Sequence, residues 1–539
     1  MNPLILALAM TGCGWNSLPD QSYWELEGPL WDDAVVAAAD GLYMRLPHAG
    51  KLIRLTPPEG EDDPGWNEVG AWPAGTFPER LMLSPDGATV LAFGSYATCE
   101  LDDETIADEK IESVEDCLVE DENAVVWHDE LNLVRDGELL GQIGLNLPFN
   151  TVAFNDEGTY AVAYLDFDLV DTLDGALVNP NEVLFIDLAT GTATSVAAGF
   201  SPERVLFTQQ QDVAVVMSRN QVVVVELTSG TFDTVTAPTT TNLDDSVVTR
   251  DAGISPDGRY MMMTVESSTD LYILDISEPM SPNWSLVSMD AVPADMQMVE
   301  GLVTDDEDDP ADLTVVTYSN RAQVDLLEQK YLTGIETLEL EEPATNILAA
   351  QDQLLLFNTS GNDYHDVYLL DPNALTVEEM RAENRVMSMQ LSPDRLHAVA
   401  VLSPEGSDAG ATAQEQYYDE SYGLGIFDLG DASAFSLVAA SQPIGVAFSG
   451  DENLSEYALA LLQGQQELIQ VRLTDGGASS IPLEAPATAI GSFGDGQFYI
   501  THESDLGLVS FLDPETGSLE TVHGFATSGL IDDETTLGR

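Results

Sequence analysis

The residues able to do chemistry in this chain are carboxylates, scattered histidines and a few cysteines, and their spacing argues against the familiar catalytic arrangements. Six histidines (His48, His128, His365, His397, His502, His523) are spread over the length with no His-x-x-x-His pair, so their spacing writes no zinc site. There is no Gly-x-Ser-x-Gly elbow, no glycine-rich phosphate loop followed by lysine, and no dinucleotide fingerprint. The densest acid run, Asp305-Asp306-Glu307-Asp308-Asp309, lacks the alternating ligands and the glycine of an EF-hand loop. It falls where a hairpin turn belongs and reads as a solvated turn. The segment 97–125 is also acid-rich, from Glu100, Asp102 and Asp103 to Glu120, Asp121 and Glu122, with Lys110 as its one cation. If such a segment binds anything, a cation such as calcium or a basic partner is what it would take. Tyr417, Tyr418 and Tyr422 suit stacking on a sugar or a peptide, although plain loop packing is the commoner use of such a group.

The cysteines are Cys13, Cys99 and Cys117. The first ends the stretch Pro3-Leu4-Ile5-Leu6-Ala7-Leu8-Ala9-Met10-Thr11-Gly12-Cys13, which resembles a bacterial lipoprotein signal cleaved before a lipidated cysteine. Met10 stands where leucine is usual, and no Lys or Arg precedes the apolar run. The run is too short to span a bilayer. The resemblance makes 1–12 a signal peptide, Cys13 the lipid-bearing residue and 13–30 a tether, with Trp15 and Trp24 placed to dock it. An ordinary secretory signal followed by an unmodified Cys13 is the other reading. Export would place Cys99 and Cys117 in an oxidising compartment and let them pair. Closing a loop of that length contributes on the order of 3 kcal/mol.

Charge narrows the partners. The 539 residues carry 94 acidic and 17 basic side chains, a net charge of −77, with Lys51, Lys110 and Lys330 as the only lysines. Phosphate backbones need a cationic footprint, so nucleic acid is excluded as a partner. An anionic membrane would repel the body, leaving the anchor at Cys13 as the membrane contact. Acidity spread along the whole chain is similar to the surfaces of proteins from salt-adapted organisms, where screening within a few ångströms removes most self-repulsion. At 44% apolar residues the chain has enough hydrophobic side chains for a large core.

The elements that would position these groups repeat about every 40 to 55 residues. One mark is a tight turn between two short β-rich runs: Asp40-Gly41, Ser84-Pro85-Asp86-Gly87, Asn155 to Gly158, Gln209 to Asp212, Ser255-Pro256-Asp257-Gly258, Asp305 to Asp309, Gln351-Asp352, Ser392-Pro393-Asp394-Arg395, Gly450 to Glu452 and Gly494 to Gly496. A second mark is a polar residue closing the third strand: Arg54, Arg135, Asp187, Glu226, Asp275, Asp325, Asp371, Asp428, Arg472 and Asp513. The two series interleave one for one. A four-stranded antiparallel unit opened by Ser-Pro-Asp-Gly and closed by apolar-Asp-x-x-x-Gly resembles the WD40-like repeat of bacterial β-propellers, over roughly residues 31–530. The Trp-Asp and Gly-His signatures of eukaryotic WD40 scaffolds are missing. The expected fold is therefore all-β, a β-propeller of four-stranded antiparallel blades at 31–530 with a tail at 531–539. Ten units, against the four to eight blades usual in propellers, leave roughly seven to ten blades, in one ring or two. No linker rich in Pro, Gly or Ser divides the array, which favours one body.

Three units are longer than the rest, at 97–125, about 166–181 and about 403–422, always between the second and third strands. Equivalent loops of a propeller emerge on one side, so these insertions are expected to form the ligand-binding face, although such loops also simply tolerate insertion. The resulting expectation is an exported, lipid-anchored monomer of the cell envelope, at the outer membrane, binding a protein, peptide or glycan without catalysis. The alternative is a propeller enzyme of the lactonase or metal-dependent hydrolase kind, with acidic and histidine ligands around the central channel.

Overall fold

Runs such as Val213-Ala214-Val215-Val216-Met217 and Val222-Val223-Val224-Val225 are apolar at every position. A strand of that kind must be covered on both faces. The computed structural model describes residues 35–525, apart from 47–50, 59–64, 72–79, 100–124, 146–148, 167–180, 239–248, 303–310, 330–332, 361–363, 405–411 and a few single or paired loop positions. Its strands form ten separate four-stranded sheets, each with its strands side by side in sequence order and all pairs antiparallel. The blades span 35–71, 80–145, 151–197, 202–236, 249–288, 293–339, 346–381, 385–439, 443–482 and 487–523.

Burial orders the strands radially. First strands of neighbouring blades touch one another, second and third strands are buried almost throughout, and fourth strands such as Thr231–Thr236 and Asn283–Ser288 are largely exposed. The first strands therefore surround the axis. The core is not one cluster but ten, each shared by two neighbouring blades. Val215 and Val224 of blade 4 meet Met261, Met263 and Tyr272 of blade 5. Leu91, Leu131 and Leu133 of blade 2 meet Ala161, Ala163 and Ile186 of blade 3. The tenth cluster joins Leu42, Met44 and Ile53 of blade 1 to Val509, Phe511 and Val522 of blade 10, with Phe525 fully buried beside them. The array is thus one ring of ten blades, closed by packing alone, since no sheet combines strands from both chain ends.

The first-to-second-strand turns explain the Ser-Pro-Asp-Gly motif. In blade 5 the Ser255 hydroxyl donates to Asp257 at 2.6 Å and accepts the Tyr260 N–H at 2.9 Å. Asp257 in turn accepts the Arg259 N–H at 3.0 Å, and Gly258 takes φ 73°. Blades 2 and 8 repeat this with Ser84–Asp86 and Ser392–Asp394, each pair at 2.5 Å. All three serines are 1% exposed. In blade 8, Arg395 occupies the left-handed position at φ 57°. Blades 3 and 4 build the same bracket with Asn155 and Thr208.

Among the third-strand marks, Asp187, Asp371 and Asp428 are Asx-turn residues, each accepting two backbone N–H groups from the following turn. Asp325 is a correction. The third strand of blade 6 is Gln323–Glu328 and closes at Glu328, while Asp325 sits inside it, accepting from Tyr318 at 2.5 Å and Thr337 at 2.7 Å.

Ser255→Ala leaves the Tyr260 N–H and the Asp257 carboxylate without their shared partner and should lower unfolding stability by about 1–3 kcal/mol. Arg395→Gly should raise it by about 1 kcal/mol through relief of the left-handed backbone. Denaturant titrations at fixed high salt check both signs.

Candidate functional site

The antiparallel order puts first-to-second and third-to-fourth turns on one face, and second-to-third and blade-to-blade connections on the other. All three long connections are of the second-to-third kind: Cys99 to Val125, Tyr164 to Glu182, and Ser403 to Tyr422. The described ends of the three insertions therefore lie on one face, as their placement in the sequence predicts. Cys99 ends the strand Thr89–Cys99, whereas Cys13 and Cys117 lie outside the described residues. So do the acids of 100–124 and the run Asp305–Asp309, which falls between the first and second strands of blade 6.

The blade 8 insertion contains the short helix Ala413–Asp419. Asn384, 3% exposed, pins its end by donating to the Tyr418 and Ser421 carbonyls at 2.6 and 2.9 Å. That anchor leaves Tyr417 61% exposed, edge-on to Tyr418 at a ring separation of 6.3 Å. Tyr422 instead lines a cleft of about 370 Å³ with Arg385, Met387, Ser403 and Pro404. Of the three tyrosines, one thus enters a cleft, one faces outward and one is partly packed.

Six first strands carry a bulge near their start, at Glu203, Arg250, Ala294, Met387, Ile444 and Thr488. A bulge re-aims the side chains around it. In blades 8 and 9 the bulged residues are apolar and exposed, Met387 at 41% and Ile444 at 50%. In blades 4 to 6 the residues just after the bulge form a polar belt across the seams. The Arg204 guanidinium donates to Asp251 at 3.0 Å and to the Ala252 carbonyl at 3.2 Å. Asp251 shares a hydrogen bond with Asp295. Asp295 accepts the Met296 N–H at 2.8 Å and, from blade 7, the Ile347 N–H at 2.7 Å. Burial first, then the neighbouring Asp251 charge, pushes the Asp295 carboxyl up to about 7.

A larger cleft of about 520 Å³ lies on the opposite face between the turns of blades 9 and 10. Its acids are engaged locally: Asp451 accepts the Asn453 and Leu454 N–H groups, and Asp513 those of Glu515 and Thr516. Among the described residues, one group of three potential metal ligands converges, Glu341, Asp366 and Glu379, and it contains no histidine. It lies on the outer strands of blade 7 and the connector before them, away from the channel. His502 is fully buried in blade 10 between the Ala485 carbonyl at 3.1 Å and the Ser510 hydroxyl at 2.8 Å. Burial holds its imidazole below the usual histidine range.

Sequence reading missed the belt and the trio. A one-residue bulge has no signature beyond a proline near the strand start, as at Pro202, Pro293 and Pro443. In a chain with 94 acidic residues, a converging carboxylate looks like any solvated one.

No family model and no curated protein sequence matches the chain. Solved structures similar to it include the dihydro-heme d1 dehydrogenase NirN in complex with DHE, at 11% identity and TM-score 0.41, covering 66% of this chain and 71% of that one. The Dos1 propeller aligns at 13% identity and TM-score 0.43 over 65% of this chain and 89% of its own. A eukaryotic initiation factor aligns at 13% and 0.45 over 83% and 96%. At these scores none transfers a substrate or partner to this chain.

The raised carboxyl of Asp295 has a signed consequence. Its folded value lies above its unfolded one, so its contribution is fully favourable below about pH 4 and is lost as pH rises through about 7. Asp295→Asn mimics the protonated form, so the variant should match wild type in thermal stability near pH 4 and exceed it at pH 8. A wild-type profile unaltered by the substitution would rule this out.

Proposed function

We propose that this protein is an exported, lipid-anchored binding protein of the bacterial cell envelope, a monomeric propeller of the WD40-like kind that holds a protein, peptide or glycan on its insertion face. The observation that carries the reading is the shared side of the three long connections, together with the blade 8 cleft and the exposed Met387 that lines it. Binding sites gather on loops held by a rigid scaffold, and a partly apolar cleft lined by Met387, Pro404 and one aromatic ring, Tyr422, suits a sugar ring or an apolar peptide side chain. The opposite face offers turns whose polar groups bond to their own backbone. A hydrolase with ligands gathered at the channel draws no support from the carboxylate trio, which sits on outer strands.

Anchoring and pairing are separately testable. Cys13→Ser should move the protein from the membrane fraction to the soluble one; continued membrane association removes the lipoprotein reading. Thiol labelling of denatured, unreduced protein should find neither Cys99 nor Cys117 free. For the ligand, peptide and glycan arrays probed in molar salt should give signals that fall about tenfold or more in Met387→Ala and Tyr422→Ala, the size of a binding hot spot. Array signals unchanged in both variants would move the site elsewhere.

A further inference from the structure

The two clefts differ in charge. Acidic side chains outnumber basic ones by 94 to 17 in this chain. The cleft between blades 9 and 10 follows that bias, with Asp451, Glu456, Asp513 and Glu515 in its walls. The described residues lining the blade 8 cleft include no acid. They are Arg385, Met387, Ser403, Pro404 and Tyr422, one cation among apolar and hydroxyl groups.

The ends of three neighbouring strands build this lining. Arg385 opens the first strand of blade 8, Arg385–Leu391, and pairs across the ladder with Ser403, the last residue of the second strand, His397–Ser403. Tyr422 opens the third strand, Tyr422–Asp428. The register shifts between Val386 and Ser388, and the intervening Met387 is left 41% exposed. Contacts with the backbone hold both polar ends of the cleft. The Arg385 Nη2 donates to the Thr359 carbonyl of blade 7 at 3.2 Å, which ties the guanidinium to the neighbouring blade. Asn384, one residue earlier, donates to the Ser421 carbonyl at 2.9 Å and so fixes the approach to Tyr422.

We propose that this cleft captures the carboxylate end of a peptide whose last side chain is apolar. A guanidinium is a planar fork that meets a carboxylate through two parallel N–H donors. Met387, Pro404 and Tyr422 offer the last side chain an apolar seat, and the Ser403 and Tyr422 hydroxyls supply acceptors for the amide N–H behind it. A volume of about 370 Å³ is at the lower end for ligand clefts, which suits a chain end better than a segment running through. An acidic sugar would also bring a carboxylate, but its hydroxyls need more polar partners than this lining offers. The net charge of −77 repels anions at long range, and salt screens that repulsion. The inference rests on the peptide reading of the insertion face and names the part of the ligand that the cleft reads.

The test uses N-terminally labelled pentapeptide pools ending in leucine, valine or phenylalanine, made with a free carboxylate and again as C-terminal amides. Each is titrated against the full chain in molar sodium chloride by fluorescence anisotropy. The free acids should bind about tenfold or more tighter than the amides, the size of a charge-assisted contact. Arg385→Gln should erase that ratio by weakening the acids while leaving the amides unchanged. A purely structural Arg385 would instead weaken both pools equally and keep the ratio, a distinction that the double cycle reads directly. Arg385→Lys keeps the charge without the fork and should retain part of the ratio, which guards against a folding defect in the glutamine variant. Equal affinity of acids and amides for wild type, or a ratio unchanged in Arg385→Gln, would overturn the inference. If equal affinities still fall in Met387→Ala, the peptide site stands without its carboxylate contact. Binding of uronate-bearing glycans alone would overturn the peptide end while leaving the insertion face as the site, and no binding of any probe would remove both.

Discussion

The structure depends on face-to-face packing of one sheet on the next. No blade has a core of its own. Each contributes one half of two hydrophobic clusters, and the ten clusters follow one another around the ring. A buried aliphatic side chain contributes about 1.5–3 kcal/mol, so one seam outweighs any turn or ion pair. The same dependence makes the closing seam critical. Blade 1 and blade 10 share no strand, and the ends of the array are joined by Leu42, Met44, Phe511 and Val522. Gly65 lies so close that a side chain there would meet Val522 at 2.8 Å.

Apolar seams also make the charge tolerable. A chain of net charge −77 with 17 basic residues cannot be held together by ion pairs. Those present, such as Arg54–Asp40 at 2.7 Å and Arg204–Asp251 at 3.0 Å, are local or bridge one seam. Salt screens the remaining repulsion over a few ångströms while leaving the seams intact. Where carboxylates are drawn together despite this, at Asp251–Asp295 and at Glu341–Asp366–Glu379, a neighbouring arginine offsets the charge, and Asp295 also accepts a backbone N–H from blade 7.

Much of the architecture is legible because its marks are local. A serine two residues before an aspartate, with glycine next, specifies a turn through bonds made within six residues, as Ser255 does with Asp257 and Tyr260. An aspartate at a strand end captures the next N–H groups, as at Asp371. Asp325 misleads for the same reason: an acid amid apolar residues looks like a strand end, but its partners Tyr318 and Thr337 come from neighbouring strands. The insertion face is legible because loop length between strands survives into the fold. The belt and the trio are not, because they arise from register and from packing between blades.

The central claim is that the last blade packs on the first to close a single ring. Spin labels on cysteines placed at the exposed outer-strand positions Asn67 and Glu520, in a background with Cys13, Cys99 and Cys117 replaced by serine, measure this by pulsed dipolar spectroscopy. A closed ring gives one short, narrow distance distribution, equal to that between the outer strands of blades 4 and 5. A long or broad distribution in the folded protein would mean that the array is open at that seam, and the ring would fail with it.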